Sequence, residues 1–258
     1  MPSRRKRLLF VTDSLGLPRV TPTRVEGEFV WVNHVAREME DACRCFFYTV
    51  GGLHTNRLVE SLATICEAFE PEILVLQVGI VDCAAKALSE NERKIVARLP
   101  AIVQRPIHRF IRDNYARIVR FRDITYVPKN VFRANLLRLK DTFSSCAFVV
   151  VPIGAPNRAY SRKNPLIARN IAGYNAELAE VFGEAFLSET FTGEDLETLY
   201  IEDHHHLSKA GHRLVTRHVS ERIRTLVANG VHFEQRARLG GATPGNLAGD
   251  GSGDDVND

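Results

Sequence analysis

Five short apolar runs, separated by segments with helical periodicity, constrain the fold of this chain more than any other feature. The runs cover residues 7–12, 45–50, 72–78, 146–152 and 198–201, and the first of them is apolar almost throughout. A strand of that kind is buried on both faces, which is typical of a parallel sheet covered by helices. The pattern therefore predicts a three-layer α/β/α fold with five parallel strands.

Helices are expected around residues 28–40, 55–69, 130–142, 165–186 and 207–229, with Ser208 as the N-cap of the last and Asp203 as a rival start signal. The connection from about 83 to 144 is longer than one crossover helix needs. It predicts a helical insert after the third strand, at the edge of the sheet where the strands end. No internal repeat interrupts this order.

Length and composition predict a single α/β domain over residues 1–235. The 258 residues are 45% hydrophobic, which is enough for one large core. Residues 236–258 contain almost no bulky apolar side chains and are predicted to form a disordered tail.

Charge, hydropathy and cysteine usage exclude several classes of protein. The formal net charge of +3 is small and interleaved with acid, so a nucleic-acid partner is not expected. The apolar run after the basic N-terminus is too short for a signal peptide, and no other run is long enough to span a membrane. Five cysteines, an odd number in or next to apolar segments, indicate reduced thiols and a cytoplasmic location: Cys43, Cys45, Cys66, Cys83 and Cys146.

Four short motifs follow the ends of predicted strands. Ser14 lies in "VTDSLG" after the first run, "VGGLHTN" follows the second, "QVGIVDC" ends the third, and "IEDHHHLSKAGH" follows the fifth. Parallel sheets place their chemistry at the carboxyl ends of the strands, so these motifs are expected to meet at one edge. In this order they resemble the sequence blocks of the SGNH or GDSL hydrolases, over roughly residues 7–225 with the insert outside. The resemblance implies a flavodoxin-like fold and a serine-dependent ester hydrolase that needs no cofactor.

The resemblance assigns a catalytic triad residue by residue. Ser14 matches the nucleophile, although Thr12 replaces the first glycine of that block, and Asp203 and His206 match the family's Asp-x-x-His. The three-residue spacing lets the carboxylate accept from the imidazole Nδ1–H and leaves Nε2 for the serine. The sequence itself supplies the nucleophile, base and orienting acid that such chemistry needs.

The oxyanion-binding block departs from the family's pattern. Gly52, with Gly51 as the alternative, matches the family's second-block glycine, and its backbone N–H is a candidate donor together with that of Ser14. Gly79 matches the third block, but Val81 stands where the family has asparagine. Losing one such donor lowers the rate by about 10²- to 10³-fold in other enzymes.

Two asparagines are candidates to replace the missing donor: Asn157, just past the fourth strand, and Asn56, in the loop after the second. Asp82 also matches the third block, and its expected role is to hold loops together rather than to act on substrate.

Other features have simpler interpretations. His204, His205, His206 and His212 lack well-spaced partners, so no metal site is predicted. Cys83 is expected to be a buried thiol rather than a nucleophile. The run "RPIHRFIRDNYARIVRFR" is typical of a solvated helical face, although its arginines, Arg109 and Arg112 among them, are alternative ligands for an anionic substrate.

The function expected from this pattern is removal of O-acyl groups, most simply O-acetyl, from a carbohydrate or other glycan ester through an acyl-enzyme. Two alternatives stay open: an O-acyltransferase that passes the acyl group to a sugar hydroxyl, and a catalytically weak carbohydrate-binding relative. Val81 favours both alternatives, because it removes a donor that ester hydrolysis uses. The sequence does not indicate an oligomeric state.

Overall fold

A computed structural model describes residues 4–229. It contains four strands, β1 to β4, which span Lys6–Thr12, Cys43–Thr49, Ile73–Gln77 and Ala147–Val150. Eleven α-helices, α1 to α11, lie within the described residues and span Trp31–Glu38, Thr55–Glu60, Leu62–Phe69, Ile80–Cys83, Glu90–Arg98, Ala101–Asp113, Tyr115–Arg122, Lys129–Thr142, Arg158–Lys163, Ile167–Phe182 and Lys209–Ala228. The predicted tail, residues 236–258, lies outside the described part of the chain.

The strands form one parallel sheet in the order β2-β1-β3-β4. Leu8 pairs with Cys45 on one side and with Ile73 on the other, which places β1 in the interior of the sheet. Every side chain of β3 is buried, as expected for a strand covered by helices on both faces. The strand order reverses between β1 and β3, and such switch points form ligand crevices in parallel sheets.

The prediction of a fifth strand at residues 198–201 is wrong: the described sheet has four. Tyr200 forms an isolated antiparallel bridge with Leu207, so this run turns back on the loop that follows it. The Ile201 N–H donates to the His206 carbonyl, and the Ser208 N–H donates to the Leu199 carbonyl. These bonds tie the run to the loop that follows it and not to the sheet. The free side of β4 meets Phe186 instead, in one parallel bridge to Val150.

The helices pack as two groups around the sheet. α1 contacts α11, and α8 contacts α2, α3 and α10. Phe10 of β1 packs edge-on against Trp31 of α1, while Phe132 of α8 contacts Tyr174 of α10. All four residues belong to one continuous buried core that includes most of β3. This core fixes the sheet edge on which the strand-end motifs lie.

The long connection between β3 and β4 contains the predicted insert. Its last helix, α8, is the crossover helix and is part of the main core, whereas α5, α6 and α7 form the additional structure. A small separate cluster of Ala85, Ala87 and Val119 anchors these helices, with Ile111 and Tyr115 packed around it. Within residues 4–229, no helix is both long and apolar enough to cross a bilayer.

Candidate active site

Ser14 lies directly at the switch point between β1 and β3. The strand β1 ends at Thr12, and the Asp13 N–H then donates to the Gln77 carbonyl at the end of β3, at 3.1 Å. Residues Ser14–Gly16 form a single 3₁₀ turn, capped by the Asp13 carboxylate, which accepts from the Leu15 N–H at 2.9 Å. The chain therefore turns away from the sheet immediately after the serine, and the hydroxyl belongs to a residue that is only partly buried.

The structure brings Ser14, His206 and Asp203 into one hydrogen-bonded chain. Ser14 Oγ lies 2.9 Å from His206 Nε2, and His206 Nδ1 lies 2.7 Å from Asp203 Oδ2. The first contact joins residues 192 positions apart in the sequence, and the second is local. This geometry suits proton transfer from the hydroxyl to a neutral imidazole whose other nitrogen is held by a carboxylate.

The loop before α11 holds the acid and base in place. Asp203 Oδ1 accepts from the backbone N–H groups of His205 and His206, at 3.2 and 3.0 Å, which leaves Oδ2 for the imidazole. Ser208 then caps α11 by accepting from the Gly211 N–H. The predicted N-cap, Ser208, is thus the one observed. Asp203 does not cap the helix and instead binds His206.

Charge states follow from burial and from these hydrogen bonds. Burial alone would raise the pKa of Asp203, but the N–H donor of His206 and the neighbouring His205 outweigh it and lower the pKa to about 2. Burial lowers the pKa of His206 to about 4, helped by His205 and opposed by Asp203. At neutral pH the acid is therefore ionised and the imidazole is neutral, which is the form that accepts a proton from serine.

Arg19 and His205, to which the sequence assigned no part in the triad, contact it. Arg19 Nη2 lies 3.6 Å from Asp203 Oδ2, and its positive charge further lowers the pKa of His206. The centroid of the His205 ring lies 4.1 Å from that of His206 and 5.7 Å from that of Tyr160. In the sequence, Arg19 lies in "LPR" and His205 lies in "HHH", and neither segment indicates these contacts.

Asp82 joins the loops after β2 and β3. Its Oδ1 accepts from both the N–H and the hydroxyl of Thr55, at 2.8 and 2.6 Å. Burial raises the pKa of Asp82 to about 6, although the Thr55 donors oppose this. Gly79 precedes it with φ of 120°, and a Cβ there would lie 2.6 Å from Ile153 Cδ1. Asp82 and Gly79 therefore shape the sheet edge, and neither is hydrogen-bonded to the triad.

The predicted oxyanion donors are the backbone N–H groups of Ser14 and Gly52. Among the described residues, no acceptor pairs with the N–H of Ser14 or with that of Gly52. Gly52 lies in an exposed turn with φ of 69°, a conformation that glycine adopts without strain. Val81 lies in the first turn of α4 and is a partly buried side chain that packs against the main core. A valine side chain has no hydrogen-bond donor.

The structure places the two asparagine candidates differently. The side-chain oxygen of Asn157, Oδ1, caps α9 by accepting from the Tyr160 N–H. Its side-chain nitrogen, Nδ2, lies 3.3 Å from His204 Nδ1. Asn157 thus lies beside the loop that carries Asp203 and His206 but forms no described bond with Ser14. The side-chain oxygen of Asn56 accepts from the Asn135 amide at 2.7 Å, which ties Asn56 to α8.

Asp203, His205 and His206 are the group within residues 4–229 whose geometry could hold a metal, with ligand atoms within 4.8 Å of one another. Binding there would take the imidazole and carboxylate atoms that form the chain to Ser14. Cys83 is fully buried, and burial raises its pKa far above its usual value. Arg109 and Arg112 both lie close to the Asp113 carboxylate, on the exterior of α6.

A narrow cleft adjoins the triad. Its cavity has a volume of about 10 Å³ and is lined by Leu15, His204 and His205. The other side chains that line it are apolar or aromatic: Ile80, Ile153, Pro156, Tyr160, Phe191, Tyr200 and Leu207. This volume is about that required by one water-sized group. The lining of this cleft is mainly apolar, and its free space is small.

Comparisons with known proteins give a fold. A scan against protein-family models finds no match, and a search of curated proteins finds none either. Solved structures do match over nearly their whole length. TesA has a TM-score of 0.55 at 14% identity, covering 85% of this chain and 98% of TesA. A lipase/acylhydrolase from Enterococcus faecalis has a TM-score of 0.60 at 13% identity, covering 88% and 97%.

A catalytic mutant of Axe2, an acetylxylan esterase from Geobacillus stearothermophilus, has a TM-score of 0.54 at 18% identity and covers 86% of this chain and 96% of its own. A putative lipolytic protein of the G-D-S-L family, from Desulfitobacterium hafniense, also matches, with a TM-score of 0.54 at 12% identity. At these identities the likeness is one of architecture. The chain has the fold of the SGNH/GDSL hydrolases.

Proposed function

We propose that this protein is a serine-dependent ester hydrolase, in which Ser14 attacks the ester carbonyl and forms an acyl-enzyme that water then hydrolyses. The observation that carries the proposal is the chain from Ser14 through His206 to Asp203, with contacts of 2.9 and 2.7 Å at the switch point of the sheet. His206 accepts the serine proton, donates it to the leaving alcohol, and later activates water by the same route. The backbone N–H groups of Ser14 and Gly52 are proposed to bind the developing oxyanion.

The acyl group is proposed to be small, most simply acetyl. Support comes from the cavity beside Ser14, whose volume of about 10 Å³ is lined by Leu15, Ile80 and Ile153. Acetyl is the smallest of the common acyl groups and needs the least movement of these side chains, whereas a longer chain needs more. The alcohol part is proposed to be a carbohydrate, because Axe2 is described as an acetylxylan esterase.

The first experiment separates an activated serine from an inert one. The protein is treated with a fluorophosphonate and analysed by mass spectrometry, and turnover of p-nitrophenyl acetate is measured in parallel. We expect one adduct on Ser14, abolished in Ser14→Ala and strongly slowed in His206→Ala. Ser144→Ala is a matched control, because Ser144 is exposed and precedes β4 at the opposite edge of the sheet. Labelling that persists in Ser14→Ala would contradict the proposal.

The size of the acyl group is tested with p-nitrophenyl esters of increasing chain length. We expect kcat/KM to be highest for acetate and to fall as the chain grows. A preference for octanoate over acetate would reject the small-acyl proposal while leaving the serine mechanism intact.

An O-acyltransferase is the second candidate, and Val81 favours it because this position lacks a side-chain donor. The same acyl-enzyme would then pass its acyl group to a sugar hydroxyl. Addition of sugar acceptors during p-nitrophenyl acetate turnover distinguishes the two reactions. Acyl-sugar formation that outpaces acetate release would identify a transferase, and acetate release alone would identify a hydrolase.

A further inference from the structure

The helical insert combines exposed apolar side chains with an excess of positive charge. Residues 90–122 contain nine Lys or Arg and three Asp or Glu, a net charge of +6, while the whole chain carries +3. The remainder of the chain is therefore net negative, at −3. The insert also contains most of the large hydrophobic side chains that are exposed in the described residues: Ile95, Ile102, Val103, Phe110 and Phe121.

Helix α6 has three stripes of side chains along its length. One stripe, made up of Gln104, Ile107 and Ile111, faces the protein. Gln104 donates to the carbonyls of Ala97 and Leu99 at the end of α5, and Ile111 packs against the small core of the insert. Ile107, on the same stripe, is half-buried. This stripe holds α6 on the protein, so the other two sides of the helix face outward.

The outward sides carry an apolar stripe beside a basic one. Ile102, Pro106 and Phe110 recur every four residues and are all exposed; Ile102 is 81% exposed and Phe110 is 62% exposed. Arg105 and Arg109 follow the same spacing on the adjoining line. We refer to these five residues as the α6 outer face.

The basic stripe is only partly neutralised. Asp113 is the acidic neighbour of Arg109, at 3.7 Å, and it also lies 3.1 Å from Arg112. Arg105 has no ion-pair partner among residues 4–229. Exposed pairs of this kind contribute little, and the surface keeps a net positive charge.

We propose that the α6 outer face docks on an anionic lipid bilayer, with Ile102, Pro106 and Phe110 entering the headgroup region and the arginines contacting lipid phosphates. Apolar and cationic stripes side by side on one helix are what an anionic interface accepts, because burial and charge attraction then act together. A second copy of the chain fits less well, since it would bring two cationic stripes together.

The insert that carries α6 is bonded to one wall of the cleft. Tyr115, at the start of α7, donates to the Ala85 carbonyl, and Asn164, just after α9, donates to the same carbonyl. Helix α9 includes Tyr160, which lines the cleft. The insert and one wall of the cleft are thus joined through a shared backbone group.

The test is sedimentation of the full chain with vesicles of phosphatidylcholine alone and of an equimolar mixture of phosphatidylcholine and phosphatidylglycerol, at low salt. We expect binding to the mixed vesicles and little to phosphatidylcholine. Arg105→Gln/Arg109→Gln should lower the partition coefficient by about 30-fold, from the usual contribution of two surface cations. Ile102→Ser/Phe110→Ser should lower it by at least about 10-fold.

Two controls match these changes elsewhere on the surface. Arg44→Gln/Arg138→Gln removes the same charge, and Leu137→Ser removes an exposed apolar side chain from α8; both should bind like the unmodified protein. Absence of binding to the mixed vesicles, or equal loss in the charge control, would overturn the proposal. Self-association in light scattering that Ile102→Ser/Phe110→Ser abolishes, without vesicle binding, would overturn it in favour of a second copy.

Discussion

Replacing Asp13 with asparagine is expected to stabilise the protein at neutral and alkaline pH, despite the position of Asp13 next to the proposed nucleophile. Asp13 is fully buried at the end of β1, and its Oδ2 has no hydrogen-bond partner among the described residues. Burial raises its pKa from 3.8 to about 7; the Leu15 N–H opposes this and the negative charge of Asp82 adds to it. At about 1.4 kcal/mol for each pKa unit, this difference corresponds to about 4 kcal/mol.

The sign of the effect follows from proton binding. Between the unfolded pKa of about 4 and the folded pKa of about 7, the folded protein keeps a proton that the unfolded chain has lost. The free energy of unfolding therefore falls as pH rises through this window, and Asp13 causes no further change above it. The asparagine side chain of the variant cannot ionise, and its amide oxygen can still accept from the Leu15 N–H. The advantage of Asp13→Asn should be small near pH 4 and approach about 4 kcal/mol above pH 7.

The assay is urea-induced unfolding of both proteins at several pH values between about 4 and 8, with the free energy of unfolding extrapolated to water. Asp141→Asn is the matched control, because it makes the same chemical change at an exposed position near the end of α8. A difference between Asp13→Asn and the unmodified protein that stays constant across the pH range would refute the reasoning. It would mean that Asp13 is as easily ionised when folded as when unfolded.

Three further predictions concern the site. The value of kcat/KM for p-nitrophenyl acetate should rise with pH as His206 loses its proton, with a midpoint well below 6.5 and near 4; a midpoint at or above 6.5 would contradict burial as the dominant influence. Val81→Asn should raise kcat by at least about 10-fold by restoring a donor, whereas Val81→Ala should not; equal rates in both variants would show that the side chain does not reach the oxyanion. Gly79→Ala should lower the free energy of unfolding by about 1–3 kcal/mol, because its φ is 120° and its Cβ would meet Ile153. Gly173→Ala in helix α10 should not destabilise, because the nearest atom to its Cβ would be Lys129 Cδ at 3.7 Å, an ordinary van der Waals contact; urea unfolding of both variants checks this.

The sequence predicts the interior of this fold better than its edge. The apolar runs at 7–12 and 72–78 correspond closely to Lys6–Thr12 and Ile73–Gln77, because a strand buried on both faces must be apolar throughout. The run at 198–201 has a similar composition, but its backbone bonds belong to the following loop. Composition does not distinguish these two uses of a short apolar run.

Helices show a similar limit. Periodicity predicts one helix over 55–69, whereas the chain forms Thr55–Glu60 and Leu62–Phe69 with a break at Ser61. Boundaries of this kind depend on local backbone angles that apolar periodicity does not determine.

Local and long-range contacts explain what could be predicted of the site. The pairing of Asp203 with His206 follows from a three-residue spacing, and the sequence motif identified it. The contact of Arg19 with Asp203 depends on the packing of two distant loops, and no short motif indicates it. Likewise, Asn157 does lie beside the loop that carries Asp203 and His206. The sequence did not indicate that it caps α9.

The loop from Leu199 to Ser208 is largely a self-contained unit, and this bears on how the site is maintained. Three backbone bonds lie within the loop, the two N–H groups that bind Asp203 Oδ1 come from the loop itself, and the cap of α11 is its last residue. The acid and base are therefore oriented largely by bonds within the loop itself. One long-range contact, from His206 to Ser14, then completes the chain. Substitutions across the core can accumulate without disturbing such a site, provided that β1 and α11 keep their relative positions, so the geometry can persist where overall sequence similarity to known hydrolases is low.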